Sequence, residues 1–298
     1  MLTPLAIAAG AVPAQATYPG AAGLLAYDTC AGHRDGSSSI CVRSPLGGAQ
    51  RELMADRPFP YGERPSDVLP SWSRDGRRFV FTRRLGTGPR VFVARADGSH
   101  AREIPLPEDM WAEDAVLGPD GRTIAFDDVA KPPPDDYLGS GPTTVRLARL
   151  DGSHIRSLGL GGGPAWTPDG HVLWNDETKR CGALTIARPD GSGRRVVDSG
   201  HHGKSCQAAN DVDVAPDGRH VTFTGPGGVW TMRLDGKNRR RVPGTRGAFS
   251  CTWSPTGHSI AYYRYPRAHH PNFPGGIYLT NPAGAKIRLL KGGGPHVG

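Results

Sequence analysis

Apolar and polar residues alternate in short runs along nearly the whole 298-residue chain, and alternation with a period of two predicts β-strands. In a first motif, two such runs flank a Pro-Asp-Gly type of turn, at 70–81, 115–126, 164–174, 212–223 and 251–262. In a second motif, a single run ends in another glycine turn, at 39–50, 90–100, 144–154, 183–193, 228–238 and 276–286. Glycine beside Asp or Asn supplies the positive φ that tight hairpins require. The alternation of the two motifs predicts a repeating unit of four strands, which is typical of a β-propeller blade.

The second motif occurs once more often than the first, so one blade at the N-terminal end lacks its opening strand. Residues 292–297 (GGGPHV) match residues 161–166 (GGGPAW), which lead into the first strand of another blade. We therefore expect His296 and Val297 to form the innermost strand of blade one, whose other three strands come from about 23–56. A C-terminal strand paired in blade one would close the ring and remove exposed strand edges. The predicted fold is an all-β, six-bladed propeller of four-stranded antiparallel blades, closed by the C-terminal strand completing blade one.

The two motifs resemble the TolB-type β-propeller repeat, whose units have the form P-x-W-S-P-D-G-x-x-I-A-F followed by I-Y-V-x-x-x-D-G. The resemblance extends from about residue 23 to residue 297. It implies a six-bladed propeller. It does not imply one function, because propellers of this type serve as binding platforms, as interaction domains and as enzymes.

The N-terminal residues 1–16 combine a short apolar stretch with Ala14-Gln15-Ala16, which fits a signal-peptidase site, although a basic n-region is missing. We expect 1–16 to be a signal peptide and 17–298 to form a single propeller domain in a secreted or extracytoplasmic protein. The alternative is an N-terminal tail with no role in export. We expect no membrane span, because no stretch of the sequence has the required apolar length.

Five cysteines favour an oxidising compartment. Cys30 and Cys41 flank the loop between two adjacent strands of blade one, and Cys181 and Cys206 lie in two loops expected on one face beside the same blade. Two disulfides are predicted, with Cys251 left as a small buried residue. Pairing of Cys206 with Cys251 remains the alternative.

Basic residues exceed acidic ones, with 36 Lys and Arg against 28 Asp and Glu, which gives a net charge of +8. A basic surface favours anionic partners such as acidic polysaccharides. Nucleic acid is not an expected partner of an exported protein.

The connections between strands divide between two faces of the predicted ring. Hairpins between the first and second strands and between the third and fourth strands lie on one face, the hairpin face. The remaining connections lie on the opposite face, the loop face, and are longer and less regular, at 28–39, 127–142, 175–182, 198–209 and 263–275. Because binding residues concentrate in loops held by a rigid scaffold, we expect the functional site on the loop face.

The residues that open the innermost strands should lie near one another at the ring axis. They are Glu113 and Asp114 in blade three, Asp211 and Asp213 in blade five, and His296 in blade one. Carboxylates brought together raise one another's pKa or require a cation or Arg beside them. One solution is a divalent cation (calcium, manganese or zinc) bound by His296, Asp211 and Asp213. The alternative is that these side chains lie between blades and bond to backbone groups, with no cofactor.

Histidines of the loop face supply the catalytic candidates, which are His201, His202, His269, His270 and His296. Adjacent strand residues face opposite ways, so each pair would contribute at most one ligand unless it lies in a loop. A His base with Arg264 or Arg267 against a uronate carboxylate would suit a polysaccharide lyase. No catalytic motif is complete, and solvent exposure of these histidines is the alternative.

The leading hypothesis from the sequence is a monomeric exported module that binds a protein or an anionic glycan through its loop face. Flat contact surface would come from aromatic residues of the loops, which are Tyr61, Tyr137, Tyr263, Tyr265 and Phe273. Arg180, Arg264 and Arg267 would engage acidic groups. The alternative hypothesis is a polysaccharide lyase or metal-dependent hydrolase with a His and carboxylate site at the mouth of the central channel.

Overall fold

A computed structural model describes residues 23–28, 38–54, 66–131, 141–264, 275–285 and 287–290. Within these residues, strands form five four-stranded sheets, one three-stranded sheet and one two-stranded hairpin. Each four-stranded sheet is an antiparallel meander in which consecutive strands pair. The described residues include no helix that is long and apolar enough to cross a membrane.

The first three blades are built from eleven strands in chain order. Blade one contains β1 (Leu25–Tyr27), β2 (Cys41–Arg43) and β3 (Arg51–Glu52). Blade two contains β4 (Ser66–Trp72), β5 (Arg78–Leu85), β6 (Gly88–Arg95) and β7 (Arg102–Glu103). Blade three contains β8 (Trp111–Leu117), β9 (Thr123–Val129), β10 (Thr143–Arg149) and β11 (Arg156–Leu160).

The remaining strands form three more blades and the hairpin between two of them. Blade four contains β12 (Gly162–Trp166), β13 (Val172–Asp176), β14 (Ala183–Ala187) and β15 (Arg195–Asp198). The hairpin consists of β16 (His201–His202) and β17 (Ser205–Cys206). Blade five contains β18 (Asn210–Val214), β19 (His220–Gly225), β20 (Gly228–Arg233) and β21 (Arg240–Arg241). Blade six contains β22 (Ala248–Trp253), β23 (Ile260–Arg264), β24 (Gly276–Thr280) and β25 (Arg288–Leu290).

Six apolar clusters fill the spaces between neighbouring blades. Blade six and blade one share a cluster in which Tyr263 and Ile277 pack with Tyr27 and Cys41. Because the last blade contacts the first, the blades form a closed ring, as the repeats predict. The fold is a six-bladed β-propeller. The C-terminal strand predicted to complete blade one, with His296, lies outside the described residues and stays a prediction.

The Asp-Gly turns hold the hairpins by side-chain capping. Asp97, Asp151 and Asp190 each accept a hydrogen bond from the backbone N–H two residues later, and the glycine between has positive φ. Side-chain hydrogen bonds from Ser99, Ser153 and Ser192, together with these backbone bonds, lower the pKa of the three carboxyl groups. The repeated turn motif therefore fixes strand register on the hairpin face.

The predicted disulfide between Cys181 and Cys206 is present and ties the β13–β14 loop to the β16–β17 hairpin. Cys251 is a free, buried thiol, so the alternative pairing of Cys206 with Cys251 is wrong. Cys41 is also disulfide-bonded, and its predicted partner Cys30 lies outside the described residues.

Candidate functional site

A cavity of about 300 Å³ lies at the ring axis, where the innermost strands of blades two to six converge. The innermost strand of each of these blades contains a β-bulge, seen as a shift in its register with the second strand. Within every bulge one residue has a left-handed backbone, and these five residues are Leu69, Asp114, Gly163, Asp211 and Ser250. We call them the bulge positions. All five line the cavity, so the bulge presents this position to the axis.

Two bulge positions carry a carboxylate in a conformation that costs backbone strain. Asp114 and Asp211 have φ of 49° and 47°, in the left-handed region that Asp and Asn tolerate better than most residues. Strained residues persist where the surrounding structure holds them, and they cluster at functional sites. In blade four the bulge position is Gly163, and glycine adopts this backbone without strain.

The four axial acids predicted from the sequence, Glu113, Asp114, Asp211 and Asp213, all line this cavity. The structure adds Asp127, which sequence analysis placed at the start of a loop. β9 continues to Val129, and Asp127 pairs there with Glu113 of the innermost strand. The pairing brings a second-strand carboxylate to the axis.

The two acids of blade five are well supplied with hydrogen bonds. Asp211 Oδ2 accepts hydrogen bonds from Thr224 Oγ1 at 2.5 Å and from the Ser250 N–H at 3.2 Å. Asp213 Oδ2 accepts from Thr252 Oγ1 at 2.8 Å and from the Trp253 N–H at 2.7 Å. The hydrogen bonds from Ser250, Thr252 and Trp253 connect blade five to blade six.

The acids of blade three accept fewer hydrogen bonds. Asp127 is 9% exposed, and its Oδ2 accepts a hydrogen bond from the Gly163 N–H at 3.0 Å, but within the described part of the chain its Oδ1 has no hydrogen-bond partner. Among the described residues no group donates a hydrogen bond to the Asp114 carboxylate. Burial, with the neighbouring charges of Asp211 and Glu113, raises the pKa of Asp114 to about 7. Burial and the charge of Asp114 raise the pKa of Asp127 as well.

One cationic side chain, Arg84, is found among the described residues that line the cavity. Its guanidinium lies 3.6 Å from the Glu113 carboxylate, and its side chain is 54% exposed. Such an exposed pair is weak. The cavity therefore presents a negative potential at its centre, although the whole chain is basic.

Within the described part of the chain, no group of three or more His, Cys, Asp and Glu side chains is placed to hold a metal ion. Asp211 and Asp213, two of the three predicted metal ligands, are described, and the third, His296, is not. The predicted divalent cation thus has no complete ligand set here.

The predicted catalytic pair His201 and His202 lies in the β16–β17 hairpin, away from the cavity lining. The two side chains face opposite ways, as expected for a strand: His201 is exposed, and His202 Nε2 lies 2.7 Å from Asp198 Oδ1. Asp198 is 7% exposed and also lies 3.2 Å from Arg239 Nε. This cluster links blade four to blade five beside the disulfide.

The predicted contact residues of blade six are mostly buried, because β23 continues to Arg264. Arg264 donates a hydrogen bond to the Gly244 carbonyl at 2.7 Å, and its guanidinium lies 4.6 Å from the centroid of the Tyr278 ring. Tyr263 packs edge to face on Phe249. Both side chains stabilise the blade, whereas Arg180 in the β13–β14 loop is exposed.

The remaining predicted site residues lie outside the described residues, and they are Tyr61, Tyr137, Tyr265, Arg267, His269, His270, Phe273 and His296. Their proposed roles stay predictions.

Comparison with solved structures finds propellers over most of the chain. TolB from Acinetobacter baumannii superposes with a TM-score of 0.69 at 13% identity, covering 92% of this chain and 65% of that one. A nidogen/laminin complex gives a TM-score of 0.62 at 16% identity, covering 89% and 90%. An oligogalacturonate lyase in complex with manganese gives 0.60 at 12% identity, covering 94% and 78%.

No family model and no curated protein matches the chain. The chain spans 65% of the length of the Acinetobacter TolB chain. At these identities the likeness shows the fold alone, which is that of TolB-type six-bladed propellers.

Proposed function

We propose that this protein is an extracytoplasmic binding module that recognises a protein partner through its loop face. The observation that carries the proposal is the axial cavity, where the otherwise regular blades present unlike side chains at the same bulge position. A scaffold that repeats its turns but varies its axial residues is arranged for recognition. Although the chain has a net charge of +8, carboxylates line the axial cavity. Their negative charge disfavours an anionic glycan at the centre of the loop face.

Likeness to known propellers supports a protein as the partner. The nidogen structure holds a propeller in a complex with laminin, and the propeller of TolB covers most of this chain. Propellers of this kind host several functions, so the fold supports the proposal only together with the site.

The lyase alternative receives less support from the site. A lyase needs a base together with a cation that neutralises a uronate carboxylate. Arg264, one of the two predicted cations, is 5% exposed and bonded to the Gly244 carbonyl. His202 is bonded to Asp198 and lies apart from the axial acids.

Export is supported by the disulfide chemistry. The Cys181–Cys206 bond and a disulfide-bonded Cys41 suit an oxidising compartment. The signal peptide predicted at 1–16 would direct the chain there.

Site-specific photo-crosslinking tests the proposal. A photoreactive residue at His201 or Arg180, both exposed on the loop face, should crosslink one specific protein in the native extracytoplasmic fraction. The matched controls are Asp190 and Lys237, which are exposed on the hairpin face. Equal crosslinking from both faces, or unsaturated product released from a uronate polymer, would contradict the proposal.

A further inference from the structure

We propose that the axial cavity binds an organic cation, a primary ammonium or guanidinium group, between the carboxylates of Asp114, Asp127 and Asp211. The group belongs either to a free amine or to a basic side chain that a protein partner inserts. For a basic side chain inserted by a protein partner, the inference rests on the proposed function and deepens it.

Among the described residues that line the cavity, carboxylates outnumber cations. Its described lining holds five carboxylates, from Glu113, Asp114, Asp127, Asp211 and Asp213, and one guanidinium, that of Arg84. Arg84 lies beside Glu113, at the edge of the group, and is half exposed. Burial raises the pKa of Asp114 and that of Asp127, and the charges of the neighbouring carboxylates raise both further.

A buried acceptor without a donor points to a missing ligand. Asp127 is 9% exposed and lines the cavity, and none of the described residues donates a hydrogen bond to its Oδ1. Leaving a buried polar atom unpaired costs free energy, so such atoms are usually supplied by water or a ligand. An ammonium has three donors and a guanidinium has five, and either would supply Asp127 Oδ1 together with the carboxylate of Asp114.

The spacing of the acids favours an organic cation over a metal ion. No three acidic or imidazole groups among the described residues converge closely enough to hold a metal. The carboxylates instead surround a cavity of about 300 Å³, which has room for a side chain or small amine.

Apolar side chains complete the cavity. Leu69, Val116, Pro164 and Trp166 line it alongside the carboxylates. A lysine side chain or an alkylamine carries a methylene stem that packs on such surfaces while its charged end reaches the acids. A combination of apolar wall and carboxylates therefore fits an alkylammonium better than an inorganic ion.

Calorimetric titration with cadaverine tests the inference, at low salt, in phosphate buffer without Tris, at about pH 8 and thus above the pKa of Asp114 of about 7. One cadaverine should bind per chain, and pentanediol, its uncharged analogue, should not bind. Asp114→Asn should weaken binding about tenfold or more, because it removes one charged acceptor and Asn tolerates the left-handed backbone. The matched control Asp109→Asn changes an exposed carboxylate outside the cavity and should alter affinity less than about twofold.

A gain of binding is expected at the bulge position of blade four. A Cβ built on Gly163 meets no heavy atom within 4 Å, and its φ of 65° suits Asp and Asn equally. Gly163→Asp should therefore tighten cadaverine binding about tenfold, while Gly163→Asn, its uncharged counterpart, should not. This pair of variants keeps the test decisive if Asp114→Asn fails to fold, as judged by its circular dichroism.

The outcomes separate the inference from the proposed function. Unchanged affinity in both Asp114→Asn and Gly163→Asp, or displacement of cadaverine by calcium chloride at equal ionic strength, would overturn the cation site. If loop-face crosslinks form and cadaverine neither binds nor competes with the partner, the inference fails and the proposed function stands. Competition shows that the partner inserts a basic group. Binding of cadaverine without any crosslinked partner supports a free amine and contradicts the proposed function.

Discussion

Asp127 Oδ2 accepts a hydrogen bond from the backbone N–H of Gly163 at 3.0 Å, which joins the second strand of blade three to the innermost strand of blade four. The contact requires a glycine at the preceding position, because a Cβ on Gly162 would lie 2.8 Å from the same Oδ2 atom. This one contact therefore positions Asp127 at the axis and also joins blade three to blade four.

Gly162→Ala should destabilise the protein, because the new methyl group displaces the buried Asp127 carboxylate from its donor. We expect the free energy of unfolding to fall by about 1–3 kcal/mol, which is typical of overpacking at a buried site. Urea denaturation followed by tryptophan fluorescence measures the change. Gly86→Ala is the control, since a Cβ there meets nothing within 4 Å. Equal effects of the two substitutions would show that the Asp127 contact contributes nothing.

Loss of the Cys181–Cys206 disulfide should destabilise the loop face. The bond closes a sequence separation of 25 residues, and Cys181→Ser should lower the free energy of unfolding by about 3 kcal/mol. Cys251→Ser changes the free buried thiol and controls for the loss of a cysteine. Thiol titration of the denatured wild-type protein should give about one thiol per chain, in line with the predicted Cys30–Cys41 pairing. Three thiols would contradict that pairing.

The sequence predicts the six blades well because they depend on repetition. Turn glycines and strand alternation recur in every unit, and they place Asp114 and Asp211 at equivalent axial positions before any coordinates are known. The left-handed backbone of these residues was not predicted. Its only sequence signal is Gly163, which occupies the same position in blade four.

The sequence-based assignments are wrong mainly at strand ends, where pairing with a neighbouring strand decides at which residue a strand ends. The local pattern places Asp127 in a loop, yet Asp127 lies in β9, pairs with Glu113 of β8 and reaches the axis. The pattern also places Tyr263 and Arg264 on the contact surface, yet they pair with Phe249 and Ala248 and are buried. In each case partners distant in sequence extend a strand beyond the local pattern, as expected when tertiary contacts override propensity.

Relief of backbone strain at Leu69 should stabilise the protein. Leu69 has φ of 56° at the bulge position of blade two, where a side chain other than Gly, Asn or Asp costs about 1–2 kcal/mol. Leu69→Asn should therefore raise the free energy of unfolding by about 1 kcal/mol, measured by urea denaturation. Leu85→Asn replaces a partly exposed leucine in a β-strand, which has no positive φ to relieve, and should give no gain. A loss of stability at position 69 would show that packing of the leucine outweighs the strain.

The pH dependence of stability should reveal the axial acids. Folding raises the pKa of Asp114 from 3.8 to about 7, so between these values the folded protein holds a proton that the unfolded chain has released. The free energy of unfolding should therefore fall as pH rises from about 4 to about 7 and change little above that range. The raised pKa of Asp127 acts in the same direction. Among the described residues, the charged groups facing Asp114 are Asp211, Glu113 and Asp127, which are all acidic, so none of them reverses the direction of the pH dependence.

Asp114→Asn separates this effect from other titrations. The turn carboxylates Asp97, Asp151 and Asp190 have lowered pKa values, so their contribution is complete above about pH 4 and is lost only in stronger acid. The fall in stability between about pH 4 and pH 7 should be smaller in Asp114→Asn and unchanged in Asp109→Asn, with urea midpoints as the measure. A bound organic cation would favour ionised Asp114, so saturating cadaverine should flatten the wild-type profile and leave that of Asp114→Asn nearly unaltered. A wild-type profile that rises with pH across this range would show that the carboxylates are already neutralised by the protein itself.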